Sequence, residues 1–162
     1  MVEESIFQLT ALFRYTCSPQ QETSLKEECR FLENYLLLQK IRFDERLNFS
    51  INLEKGLEDV RIPKLLLQPP VENAVVHALS PLDRPMTLLV YISSFQLEQK
   101  QFCRITIRDD GIGFDTASLE NTQGIGLKNV KERLRIFSPA SSFKVQSTKN
   151  CGTICTITFL IS

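Results

Sequence analysis

The sequence predicts an α+β domain in which helices cover one face of a mixed, mostly antiparallel sheet. Three observations point there. After a short first helix, the hydrophobic periods run helix, strand, helix, two strands, helix, two strands. The paired strand-like runs are joined by short polar connections, as antiparallel hairpins are. Few strand–helix–strand crossovers are available, and an all-parallel sheet would need many. With 162 residues, 43% of them hydrophobic, the chain can bury one ordinary core.

Each element has its own signal. Residues 4–16 place Ile6, Leu9, Leu12 and Phe13 on one helical face, a stripe that seeks a partner surface because so short a helix is marginal alone. The polar run Ser18–Glu22, with Pro19 inside it, is the one plausible linker and divides the chain into 1–17 and 24–162. Ser24 followed by Glu27 reads as a capping box, opening the longest helix, with Leu25, Cys29, Leu32, Leu36 and Phe43 at helical spacing. Leu47–Leu53 alternates apolar and polar residues as a half-buried strand does, and Lys55-Gly56 turns the chain. An apolar helix is expected from Lys64 to Leu79, with its core side on Leu66, Val71, Val75 and Val76, and with Pro69 and Pro70 kinking it or delaying its regular part. Thr87–Phe95 and Phe102–Arg108, joined by Gln96–Gln101, read as a hairpin. A loop from Asp109 to Gln123, a helix from Ile125 to Phe137 and strands at Phe143–Ser147 and Thr153–Ile161 complete the reading.

Charge and cysteine usage exclude several functions. Nineteen Lys and Arg balance nineteen Asp and Glu, so there is no basic excess to hold a phosphate backbone, which argues against a nucleic-acid partner. No apolar stretch approaches the roughly 20 residues of a spanning helix, and the N-terminus lacks the order of a signal peptide, so a soluble segment is expected. The five cysteines are scattered without a CxxC pair, and one His is available to assist them, which argues against zinc. They read as reduced thiols serving as small apolar residues.

Chemistry could reside in three places. In Glu72–His77, Asn73 and His77 lie four apart; an amide carbonyl is an oxygen ligand suited to Mg²⁺, and an imidazole one turn on could reach phosphate, although a satisfied amide and a packed His would give the same pattern. In Ile105–Phe114, an alternating strand runs into Asp109, Asp110, Gly111 and Gly113. A carboxylate fixed at a strand end can accept from a purine amino group, and the glycines allow close backbone approach; a plain Asp-Gly turn is the alternative. In Gly124–Asn129, glycines open a helix that goes on to carry Lys131, Arg133 and Arg135, and unpaired first-turn amides bind phosphate readily. The spacing is neither GxGxxG nor GxxxxGKS/T, so dinucleotide-binding and P-loop readings fail.

The combination resembles a known family. Tyr35–Leu47, Ile62–Ala74, the run DDGIGF at 109–114 and GIGLKNVKERL at 124–134 are similar to the ATP-binding module of the GHKL superfamily (gyrase, Hsp90, histidine kinase, MutL), and within it to sensor histidine kinases of the LytS/YehU/YesM type. The resemblance implies the Bergerat fold, a two-layer α/β sandwich holding ATP between helices and a flexible lid at Phe114–Gln123. It implies that Asn73 coordinates Mg²⁺, that Asp109 accepts the adenine amino hydrogen, and that Gly111 and Gly113 shape the purine pocket. Gly124, Gly126 and Leu127 would present amides to the phosphates, with Lys128, Asn129 and His77 as further phosphate or lid contacts, and Thr153 would close the adenine side. Glu72 is the candidate for orienting or deprotonating the phosphoacceptor.

Departures refine this. Pro69 stands where many superfamily members carry a water-activating carboxylate, so hydrolysis to water is expected to be poor. Ala78 follows the motif's His where Gly is usual, and Asn150 stands where Gly often precedes the final Gly-Thr. The phosphoacceptor His of a kinase lies on an upstream helix, and the single His here belongs to the Asn motif; the first helix, with Leu9–Tyr15, resembles the tail of the dimerisation and phosphoacceptor helices, so the resemblance implies that 1–17 is that tail and 24–162 the catalytic domain. The expectation is a piece of a longer bacterial kinase, the cytoplasmic part of a membrane sensor, that binds Mg²⁺-ATP without phosphorylating itself. Its own phosphoacceptor helix, a homodimer partner and a response regulator are the expected partners. The alternatives are a degenerate nucleotide-binding module that regulates a partner protein, and an ATPase clamp of the gyrase, MutL and Hsp90 kind.

Overall fold

The computed structural model describes residues 2–114 and 125–161. In chain order these form α1 (Val2–Cys17), β1 (Glu22–Ser24), α2 (Leu25–Phe43), β2 (Leu47–Leu53), β3 (Arg61–Pro63), α3 (Gln68–Asn73), β4 (Met86–Leu97), β5 (Lys100–Asp109), α4 (Ile125–Phe137), β6 (Ser142–Thr148) and β7 (Gly152–Leu160). A 3₁₀ turn at Asp44–Arg46 separates α2 from β2, and α3 continues as a π-helical stretch, Ala74–Leu79.

Five strands make one sheet in the order β2-β4-β5-β7-β6. β2 and β4 run parallel, because the chain between them carries α3 across the sheet; every other pairing is antiparallel. Side-chain alternation then separates the two faces. Met86, Leu88, Val90 and Ile92 of β4, Cys103, Ile105 and Ile107 of β5, and Cys155, Ile157 and Phe159 of β7 are buried in one cluster with Leu32 and Leu36 of α2, Val75 of the α3 extension, and Val130 and Leu134 of α4. On the opposite phase of β4, Leu89 and Tyr91 are exposed. The predicted fold class, with helices on one face of a mixed sheet, is the observed one.

Local chemistry explains the boundaries. The Ser24 hydroxyl accepts from the Glu27 amide at 3.2 Å, capping α2 as expected. Pro69 and Pro70 sit in the first turn of α3, where amides have no helical partner, so the helix begins at Gln68 and Lys64–Leu67 is a turn. The widened turns after Asn73 change which residues face inward: Leu66, Val71 and Val75 are fully buried, but Val76 is turned out and 42% exposed, contrary to its expected core role. The β4–β5 hairpin is tighter than the polar run suggested. Its strands pair as far as Leu97 and Lys100, and Glu98 and Gln99 both take positive φ, the backbone of a two-residue turn that matches the strand twist. β1 and β3, each three residues long, pair antiparallel and had no sequence signal. On α1, Ile6, Leu9 and Phe13 are exposed as expected, whereas Leu12 turns from that stripe to pack with Tyr15 against the core. Cys103 and Cys155 are buried and burial pushes both thiols up to about 12; Cys17 and Cys151 are exposed.

Phe159 is almost wholly buried and meets Phe137 of α4 edge-to-face at 6.0 Å. Phe159→Ala is expected to cost about 3–5 kcal/mol in urea unfolding, whereas Ile136→Ala, on the exposed side of the same helix, should stay within about 0.5 kcal/mol.

Candidate functional site

The position of Asp109 follows from strand arithmetic. Cys103, Ile105 and Ile107 face the core, and Asp109 is the next residue in that phase, so its carboxylate is carried inward and is 5% exposed. Oδ1 accepts the Gly111 amide at 2.9 Å. Burial pushes the Asp109 carboxyl above the ordinary range and the neighbouring Asp110 charge adds to this, while the backbone amides of Gly111 and Thr153 pull the other way. Two amide contacts do not exhaust a carboxylate, which keeps acceptor capacity for a further donor.

The glycines after it are required by close packing. A Cβ at Gly111 would overlap the Ala78 Cβ and stand 3.0 Å from the Ala78 carbonyl oxygen. Gly152, at φ +90°, has the Asp109 carbonyl where a Cβ would go. Ala78 also accepts from the Ile112 amide at 3.4 Å, and the Ile112 carbonyl accepts from the Asn150 amide at 2.5 Å. Ser147 ties the loop to the β6–β7 hairpin: its Oγ accepts the Phe114 amide at 2.9 Å, donates to the Gly152 carbonyl at 3.0 Å, and lies 2.9 Å from Thr153 Oγ1. The glycine loop is thus clamped between the α3 extension and the hairpin. Asp110 braces the other side, its Oδ1 accepting the Thr87 amide at 2.7 Å and its carbonyl accepting from the Arg84 guanidinium at 2.6 Å. Between them lies an open cavity of about 360 Å³, lined by Pro81, Leu82, Asp83, Arg84, Gly111, Ile112 and Asn150.

The α3 helix connects this loop to the third motif. Its π-helical end touches Gly111 through Ala78, while at its start Pro69 lies 3.4 Å from the position a Gly126 Cβ would take. All three sequence motifs therefore border one helix. Asn73, at the end of α3, is half-buried; Glu72 and His77 are exposed, and the widened turn removes the α-helical stacking expected for Asn73 and His77. In the first turn of α4, Leu127 buries its side chain, which anchors the turn, while Lys128 and Asn129 are exposed; the amides of such a turn have no helical acceptor. The Arg133 guanidinium donates to the Lys64 carbonyl, which ties α4 to the turn before α3. Gly124 and residues 115–123 of the expected lid lie outside the described residues.

One group went unread in the sequence. Glu28 is fully buried; its Oε1 accepts the Leu67 amide at 3.0 Å, its Oε2 accepts the Leu65 amide at 3.1 Å, and the Tyr15 hydroxyl also donates to Oε2. Burial pushes this carboxyl up, against the opposing effect of the three donors and of Arg133. Its signal was an acid in the core phase of α2, between Leu25 and Leu32.

Comparison with known proteins supports this reading of the fold. The profile of the family described as Histidine kinase matches residues 1–47. The chain is 35% identical over 139 residues to Sensor histidine kinase YesM of Bacillus subtilis, covering 83% of this chain and 23% of that protein. It is 24% identical over 167 residues to Sensor protein kinase HptS of Staphylococcus aureus, covering 95% of this chain and 31% of HptS. Among solved structures, the histidine kinase domain of the Erythrobacter litoralis EL346 blue-light activated histidine kinase superposes with a TM-score of 0.65 at 17% identity, covering 98% of this chain and 78% of that one. The catalytic domain of histidine kinase ThkA gives 0.62 at 16%, covering 86% and 94%. The fold is that of histidine kinase catalytic domains. The chain belongs to the sensor histidine kinase family, of the YesM type, and spans less than a third of the length of YesM or HptS.

Because a Cβ has no room at Gly152, Gly152→Ala should destabilise the chain by about 1–3 kcal/mol; thermal unfolding monitored by circular dichroism would register this as a lowered midpoint.

Proposed function

We propose that this chain is the catalytic part of a sensor histidine kinase that binds Mg²⁺-ATP and donates the γ-phosphoryl group to a His on an upstream helix. The observation that carries this reading is the buried Asp109 carboxylate, whose glycine loop abuts the same helix that bears Asn73 and touches the start of α4. Asp109 accepts the adenine amino hydrogen, beside a loop held rigid by Ala78 and Ser147. Gly111 and Gly113 shape the purine pocket, and Thr153, already bonded to Ser147, closes its side. The amides of Gly126 and Leu127, with Gly124 before them, receive the phosphates at the positive end of α4; Lys128 and Asn129, which follow directly, and His77, four residues after Asn73, add contacts.

The donor chemistry fits Mg²⁺. Among the described residues no group of three or more His, Cys, Asp or Glu could hold a metal ion. A divalent ion here would rest on the Asn73 amide oxygen and the nucleotide's own oxygens, the usual arrangement for Mg²⁺. When bound, it neutralises charge on the phosphates. The protein's part is positioning and electrostatic stabilisation. Glu72 is exposed beside Asn73, which supports its role in orienting or deprotonating an incoming imidazole from another helix.

Residues 1–17 are then the tail of the dimerisation and phosphoacceptor helices, and 24–162 the catalytic domain. The exposed Ile6, Leu9 and Phe13 support a helical partner for α1, supplied by a second copy in the intact kinase. Among the described residues no helix is long and apolar enough to cross a membrane. The chain is the cytoplasmic part of a bacterial membrane sensor, with a response regulator as final acceptor.

Calorimetric titration with Mg²⁺-ATP tests this. Saturable binding is expected, reduced at least about tenfold by Asp109→Asn, which removes the charge and, with the amide oxygen held by Gly111, turns an NH2 donor toward the purine amino group, and weakened by Asn73→Ala only when Mg²⁺ is present. Binding that survives Asp109→Asn unchanged would refute the assignment. The same titration has a pH signature. Because burial raises the Asp109 carboxyl above the ordinary range, protonation begins at a higher pH than for an exposed aspartate. Affinity should therefore fall as pH drops through that raised range, and this acid limb should vanish in Asp109→Asn.

A further inference from the structure

The turn that precedes α3 is held by an unusual set of contacts. Leu65 takes φ +59°, a left-handed conformation that a branched residue rarely adopts unless its surroundings impose it. The imposing group is Glu28, whose two carboxylate oxygens receive the amides of Leu65 and Leu67. The Tyr15 hydroxyl, from the last turn of α1, shares Oε2 with Leu65. Lys64, 7% exposed, reinforces the link: its Nζ donates to the Ser18 carbonyl at 2.9 Å and the Thr16 carbonyl at 3.4 Å, and lies 4.9 Å from the centre of the Tyr15 ring. Its own carbonyl receives Arg133 of α4. The Leu67 carbonyl, in turn, accepts the Val71 amide at 3.3 Å inside α3.

Four residues, Lys64–Leu67, thus join the end of α1, the body of α2, the start of α3 and the flank of α4. Three part-buried hydrogen bonds reach the end of α1 or the residue just past it: Tyr15 to Glu28, and Lys64 to the Thr16 and Ser18 carbonyls. If α1 shifts, the Glu28 carboxylate loses a donor and the Lys64 ammonium loses its carbonyls, and an uncompensated buried charge is costly. The strained Leu65 conformation then has less to hold it.

We propose that the Glu28 carboxylate is a joint through which the position of α1 sets the Lys64–Leu67 turn, and through it the helix that carries Asn73. Glu28 is on this account a positioning residue for the nucleotide site, and the functional half of the proposal rests on the nucleotide reading given above. By linkage the coupling runs both ways: what α1 does to the nucleotide helix, bound nucleotide does to α1.

Amide hydrogen exchange on the whole 162-residue chain, parent against Tyr15→Phe, tests this. The variant keeps the ring and its 4.6 Å stacking on Phe31 and deletes only the hydroxyl. Exchange at Leu65, Leu67 and residues 71–79 should quicken about tenfold, the scale of one lost hydrogen bond to a charged group, while β4 and β5 amides keep their rates. Mg²⁺-ATP should slow exchange in residues 9–17 of the parent and leave Tyr15→Phe unaffected there. Lys64→Met, which keeps the apolar stem, should reproduce both results. Unchanged rates at Leu65 and Leu67, or an even acceleration over the whole chain, would overturn the joint. If the parent binds no nucleotide while the turn still responds to Tyr15→Phe, the nucleotide reading and the functional half fail, and the mechanical joint stands.

Discussion

A carboxylate carried into the core-facing row of a β-strand must find donors, and Asp109 takes them from the chain's next turn and from the neighbouring strand. That requirement bends the chain sharply at Gly111, which presses the loop against Ala78 and against the hairpin that ends at Gly152. The register of β5 with β4 and β7 therefore fixes more than the sheet. A slip of one residue would turn Asp109 to solvent and Arg108 to the core. The apolar residues before it, Cys103, Ile105 and Ile107, enforce the register by burial, so the hydrophobic core and the polar site are specified by the same alternation.

Glu28 plays a similar part on the helical layer. Both carboxylates are buried, both are satisfied by backbone amides, and each fixes a turn beside α3, one before the helix and one against its far end. The helix bearing Asn73 is positioned from both ends by groups that water does not screen. Such sites tolerate little rearrangement, because moving either turn would leave a buried carboxylate short of donors.

The five strands of the main sheet and the long helices were legible because their signals are local. Leu47–Leu53 alternates cleanly, and α2 announces its start with Ser24 and Glu27. The three motifs were legible as residue types, and strand phase alone would have buried Asp109. Less legible was whatever depends on distant partners. The left-handed Leu65 turn exists because Glu28, 37 residues away, holds it. The π-helical stretch after Asn73 turned Val76 outward against an α-helical count, and Arg133, read as part of a basic run, donates to the Lys64 carbonyl. Gly111 and Gly113 were read for ligand access, whereas a Cβ at Gly111 would meet Ala78 and one at Gly113 the Thr148 carbonyl, so the chain's own packing already requires both.

The central claim is that nucleotide is held where the Asp109 loop, the Asn73 helix and the first turn of α4 converge. Two-dimensional amide NMR of the labelled chain, titrated with Mg²⁺-ATP, tests it most directly. The account predicts shifts concentrated at Asn73, Gly111, Gly113, Gly126, Leu127 and Thr153, four separated stretches of sequence responding with one dissociation constant. Shifts centred on the outer sheet face around Leu89 and Tyr91, or none at saturating nucleotide, would contradict it.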